Sequence, residues 1–195
     1  MAAIRHINIV GNEAFDDEEL LELFELRESS WWNSLTSKDK YARERLSGDL
    51  ESLRSHYLDQ GYLDFNIESS QVSISPDKRD VFVAVSINEG NKYTISDIQL
   101  RGDLIVPEEE LRELIELEPG DTLSQSALTA TSERLSRRLG REGYTFANVN
   151  AIPESDSEDT AAVTFFVEPG NRTYVRRINF EGNVTTKDEV LRQEM

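Results

Sequence analysis

Catalysis needs a nucleophile or a metal held by partners of the right type, and this chain of 195 residues offers few: no cysteine, two histidines, and 38 Asp and Glu against 21 Lys and Arg. Without thiols there is no disulfide, no thiolate nucleophile and no thiolate metal site. His6 and His56 stand far apart with no companion ligand spacing, so no metal site is expected. A serine nucleophile needs a base held by a third group, and neither histidine lies near a serine-rich elbow or a Gly-rich turn. The Gly-Asn pairs lack the G-x-G-x-x-G or Walker spacing that cradles phosphate. Carboxylate pairs are available in so acidic a chain, but none stands out; an acidic hydrolase is the alternative of a different class. The reading is a chain with no cofactor and no catalysis.

The net charge of −17 repels phosphate backbones, which argues against nucleic acid as a partner. Hydrophobic residues make up 37%, enough for small cores, and no stretch approaches the roughly 18 apolar residues of a membrane-spanning helix. No signal peptide precedes Ile4, and Met1-Ala2 reads as an added start. A helical pattern is still running at Gln193-Glu194-Met195. The sequence therefore reads as an excerpt of a longer protein, monomeric as it stands.

What chemistry remains lies in the backbone of β-prone stretches. The residues from Gly61 to Gly90 leave a helical pattern, run as a strand to Ile74, turn at Ser75-Pro76-Asp77 and return through Val81, Val83, Val85 and Ile87 with period-two alternation. Gly143 to Gly170 is a second copy. In the first copy Phe65 and Ile67 fall on odd positions, while Val72 and Ile74 fall on even ones. One face of a strand keeps one parity, so the register must shift by a residue between Glu68 and Gln71, as a β-bulge does.

The elements before each hairpin repeat as well. Arg5 to Val10 is β-prone and ends at Gly11-Asn12, a turn dipeptide. Asp16 to Glu19 open a helix whose face is Leu20, Leu23 and Phe24, ending near Leu26 or Arg27. After a loop with Trp31 and Trp32, read as closing one end of a small core in preference to standing as exposed binding anchors, Thr36 and Asp39 resemble a capping box. The helix that follows carries Leu46, Leu50, Leu53 and Tyr57. In the second unit Tyr93 to Leu100 is followed by Pro107 at a first helical position before Glu108 to Glu110, with Leu111, Leu114 and Ile115 as the apolar face. A second helix carries Leu128, Leu135 and Leu139, with Arg134, Arg137, Arg138 and Arg141 near its negative end as a solvated face. A third copy starts at Tyr174 to Phe180 and Gly182-Asn183. The units are 1–90, 91–171 and a truncated 172–195, joined by linkers of a few residues that limit free tumbling. The plan is α+β, each unit strand, helix, helix, strand, strand.

Five strings in this order and spacing carry a family resemblance: INIVGNEAF at Ile7 to Phe15, Trp31-Trp32-Asn33, GDLESLRSHYLDQGY at Gly48 to Tyr62, LGREGY at Leu139 to Tyr144 and GNRTYVRRINFEGN at Gly170 to Asn183. The chain resembles the POTRA (polypeptide-transport-associated) domains of outer-membrane assembly factors, in particular a third and a fourth repeat followed by the beginning of a fifth. The resemblance implies tandem β-α-α-β-β repeats, each with two helices on a three-stranded mixed sheet whose second strand lies at an edge. It also implies a place at the periplasmic face of a Gram-negative outer membrane and a C-terminal β-barrel beyond this sequence. The implied partners are accessory assembly lipoproteins and unfolded outer-membrane protein chains. Two-partner-secretion transporters and translocation-assembly modules carry similar repeats and are the alternative within the family.

With that edge in place, Phe65, Asn66, Ile67, Glu68, Ser69, Ser70, Gln71, Val72, Ser73 and Ile74 become the candidate binding strand. Its unpaired N–H and C=O groups accept an extended peptide with little demand on sequence. A bulge and a charge at Glu68 are equally devices that protect an edge from aggregation. The equivalent second-unit strand is the poorer candidate because Pro153 removes a donor. Phe24, Leu26 and Arg27 form a possible accessory-lipoprotein patch beside the edge, with helix packing the competing role for Phe24.

Overall fold

In a computed structural model, which describes residues 3–25, 38–74, 76 and 80–174, the chain folds into two successive units built to one plan. The first comprises β1 (Ala3–Val10), α1 (Asp17–Glu22), α2 (Lys38–Asp59), β2 (Asn66–Ile74) and β3 (Asp80–Asn88). The second comprises β4 (Thr94–Gly102), α3 (Glu108–Arg112), α4 (Gln125–Arg141), β5 (Asn148–Ser155) and β6 (Thr160–Glu168). Each unit has a three-stranded mixed sheet, ordered β1-β3-β2 and β4-β6-β5. The hairpin strands pair antiparallel, and the first strand of each unit joins the central one in parallel. The expected α+β plan with the second strand at an edge is the observed one. The third copy from residue 175 on, Trp31, Trp32 and Thr36 lie outside the described residues.

The alternation that marks the strands also fills the cores. Val83, Val85 and Ile87 of β3 are buried against Leu20, Leu46, Leu53 and Tyr57. Ala161, Val163, Phe165 and Val167 of β6 are buried against Leu111, Leu128, Leu135 and Leu139. Each such side chain contributes on the order of 1.5–3 kcal/mol by leaving water. Tyr57 stacks on Phe65 with ring centroids 4.3 Å apart and meets Phe15 edge-on at 5.1 Å.

Three local readings shift. The first helix ends at Leu23 rather than near Leu26 or Arg27, because the buried Asp49 carboxylate of α2 accepts the Glu25 N–H at 2.9 Å and draws the chain off the helical path. Pro107 is the residue before the first turn of α3, not its first helical residue, and α3 stops at Arg112, short of Leu114 and Ile115. Both parallel pairs also carry a register shift, between Ile4 and His6 and between Ile95 and Asp97, that the sequence reading does not contain.

Candidate functional site

Among the described residues β2 lies at a free edge, and its register carries the anticipated irregularity. Ile67 is opposite Ile87, but Ser69 is opposite Ser86, so Glu68 is the extra residue. Past it Ser70, Val72 and Ile74 face Val85, Val83 and Val81, which places even positions on the face that odd positions held before. The Glu68 carboxylate accepts a hydrogen bond from the Ser86 hydroxyl at 3.2 Å, tying the bulge to the central strand.

The two halves of β2 differ in cover. At the inner end Phe65 is buried under Tyr57 and Ile67 is half-buried. Beyond the bulge Ser69, Ser70, Gln71 and Ser73 are exposed, and Val72 is 52% exposed although it shares the core face with Val83. The outer half therefore offers small polar side chains and one uncovered apolar group beside its free backbone. On the opposite face Phe82 of β3, opposite Ser73, is 45% exposed.

A carboxylate braces this end of the unit. Glu89, just past β3, accepts the Tyr57 hydroxyl at 2.7 Å and the N–H groups of Glu13 and Ala14 at 3.0 and 3.1 Å. Burial, and then the bond to Glu89, push the Tyr57 hydroxyl far above the usual phenol range; burial and the Glu89 charge push Tyr62 upward too. His56 packs edge-on to Phe15, its Nε2 3.9 Å from Glu19, whereas His6 is exposed opposite Phe82.

Phe24 is 2% exposed and belongs to the first core, so its side chain is committed to packing and not to a surface patch. Leu26 and Arg27 lie outside the described residues. Arg134 and Arg138 pair with Glu116, Glu110 and Glu142 along α4 rather than standing as a purely solvated face. β5, also at an edge, has an unbroken register from Asn148 to Ser155, with Pro153 opposite Val163. No helix among the described residues is long and apolar enough to cross a membrane.

The sequence reading missed the joint between the units. Gly61, with φ +96°, accepts the Tyr93 N–H through its carbonyl at 2.8 Å, and a Cβ there would lie 2.8 Å from the Tyr93 carbonyl oxygen. The Tyr93 hydroxyl donates to Asp64 at 2.8 Å. Asp59, the last residue of α2, accepts the Ser126 N–H at 2.7 Å and the Ser124 hydroxyl at 3.3 Å, so it caps a helix of the other unit. A carboxylate at the negative end of its own helix is locally unfavourable, and that is the signal that another segment holds it. The joint recurs after the second unit, where Thr173 N–H donates to the Gly143 carbonyl at 2.7 Å and Arg172 Nε to the Glu142 carbonyl at 2.9 Å.

With this geometry in view, the POTRA family, described as surface antigen variable number repeat, matches residues 2–90 and 93–170. Outer membrane protein assembly factor BamA of Buchnera aphidicola is 34% identical over 98% of the chain, and its counterpart in Neisseria meningitidis is 29% identical over 100%. The chain spans 31% and 25% of the length of these two relatives. A crystal structure of Haemophilus influenzae BamA POTRA3-5 is 32% identical, with a TM-score of 0.77 over 100% of this chain and 76% of that one.

Proposed function

The chain belongs to the POTRA family, and from that premise we propose that it is a non-catalytic periplasmic scaffold for assembling proteins into the outer membrane. In this reading the repeats stand at the mouth of a C-terminal β-barrel and receive two kinds of partner: unfolded outer-membrane protein chains and accessory lipoproteins. The observation that carries it is the free edge of β2, whose outer half is uncovered and presents small side chains from Ser69 to Ser73. Main-chain pairing at such an edge supplies affinity with little sequence demand. That suits a receptor for many different β-rich clients. Leu26 and Arg27, which follow α1 in the sequence, are the proposed lipoprotein contact. The three units, 1–90, 91–171 and the start at 172, are the proposed modules.

A backbone NMR titration of the chain with peptides taken from outer-membrane strands tests this. Shifts concentrated between Phe65 and Ile74 support client binding. No shift there at millimolar peptide rejects it, and leaves a rigid spacer that docks lipoproteins as the surviving reading; the recurring joint at Gly61 and Gly143 favours that second reading.

A further inference from the structure

The two joints make the same backbone bonds around different side chains. After α2 the chain turns with the Tyr62 carbonyl accepting the Phe65 N–H at 3.1 Å, and after α4 the Tyr144 carbonyl accepts the Ala147 N–H at 3.0 Å. Each turn then takes up the linker that follows its own sheet: the Gly61 carbonyl accepts the Tyr93 N–H at 2.8 Å, and that of Gly143 the Thr173 N–H at 2.7 Å. These bonds make Asp64 equivalent to Phe146, and Tyr93 equivalent to Thr173. In the first joint the large ring comes from the linker, where Tyr93 is buried in the second core and donates its hydroxyl to Asp64. In the second joint the linker supplies only Thr173, and the ring stands on the turn as Phe146.

Phe146 is 79% exposed, more than any other large apolar side chain among the described residues, and Tyr174 follows at 73%. A single exposed ring needs no explanation, but these two flank a joint whose bonds are already made. Arg172 ties the linker to the turn: its Nε donates to the Glu142 carbonyl at 2.9 Å, and its guanidinium carbon lies 5.4 Å from the centre of the Tyr174 ring. The first turn is covered by the unit that follows it, with Leu63, next to Asp64, packed against the second core. Beyond the second joint the chain leaves at Tyr174 and runs on to Met195, so the segment that starts nearest to Phe146 is its own continuation. We propose that Phe146 is the docking residue for the third unit: its ring enters the end of that unit's core, in the volume that Tyr93 fills in the second unit. The side chain that fills the joint has thus changed sides between one joint and the next. This docking rests on the reading of the chain from residue 172 on as a unit. It also implies reciprocity. Beside Phe146 a second ring on the linker overpacks the joint, whereas beside an aspartate at that position it regains both the space and the acceptor that Tyr93 has.

The test is native-state amide exchange in the protein carried through its third unit, comparing the wild type with Phe146→Asp, Thr173→Tyr and the double variant. The amide at position 173, bonded to the Gly143 carbonyl, reports opening of the joint. Each single change is expected to speed its exchange about ten- to a hundredfold, by loss of one buried aromatic side chain or by overpacking. The double variant, which rebuilds the first joint in the second, is expected to return to within about threefold of the wild type. Val163 and Phe165 amides, in the centre of β6, should stay protected throughout, and Phe146→Ser replaces Phe146→Asp should they not. An unchanged rate at position 173 in Phe146→Asp, with the third unit's amides protected, overturns the docking role and leaves Phe146 to a separate partner. A double variant that exchanges no more slowly than the single ones overturns it too. Third-unit amides that exchange like an unfolded chain in the wild type overturn the reading of a third unit, and the docking with it.

Discussion

Tyr57 and Glu89 show how one side chain pair holds a repeat together. The Tyr57 hydroxyl is buried and donates to a carboxylate that also gathers the Glu13 and Ala14 N–H groups. Its folded pKa lies above the unfolded value, so the stability it confers is fully present below about pH 10 and is lost as pH rises past that value. While the folded tyrosine keeps its proton, the slope is about 1.4 kcal/mol per pH unit. Denaturant unfolding of the wild type should show little of this slope at pH 9 and approach it only above about pH 10, and Tyr57→Phe should flatten it while costing about 1–2 kcal/mol at neutral pH. None of this was legible beforehand: Tyr57 was visible as an apolar helix position, but nothing local tells that Glu89, 32 residues on, closes on it. Phe24 shows the opposite case, since its i+4 spacing from Leu20 already marked it for the core, where it sits.

Among the elements, β2 is where period-two reasoning reached furthest. Phe65 and Ile67 against Val72 and Ile74 placed a shift between Glu68 and Gln71, and the extra residue is Glu68. The same signal was present in the first strands, Ile4 against Ile7 and Ile9, and Ile95 against Ile98 and Leu100, where the register shifts too. Parity therefore reports bulges in parallel pairs as well, provided every strand is tested. Deleting Glu68 should restore a regular strand with the core face kept, since Ser70, Val72 and Ile74 would then share the parity of Ile67. The thermal midpoint should change little. If the bulge guards the edge, light scattering of the deletion variant will show self-association that the wild type lacks; if it shapes a binding strand, peptide affinity will fall without self-association. Helix termini were less legible than strands. α1 is cut short by Asp49, and α4 is capped in part by Asp59 from the other unit, both through contacts 24 or more residues apart. Asp59→Ala should lower stability by about 1 kcal/mol, seen as an earlier melt, with α4 amides exchanging faster than those of α2.

At the scale of the whole molecule, repetition made the architecture readable, because two copies of one pattern identify elements that a single copy leaves ambiguous. The joint was not readable, because its bonds run between residues of different copies. Gly61, Asp64, Asp59 and Tyr93 nonetheless fix how the second unit follows the first. A chain so joined presents β2 and β5 in a set relation rather than as independent edges. In the proposed function the outer half of β2 receives an extended chain through its backbone. Amide hydrogen exchange of the chain, with and without a saturating outer-membrane strand peptide, tests it most directly. New protection at alternate amides between Ser69 and Ser73 is expected, and its loss in a variant with Ser70→Pro and Gln71→Pro. Protection confined to helix surfaces, or exchange at β2 unchanged by bound peptide, would contradict it.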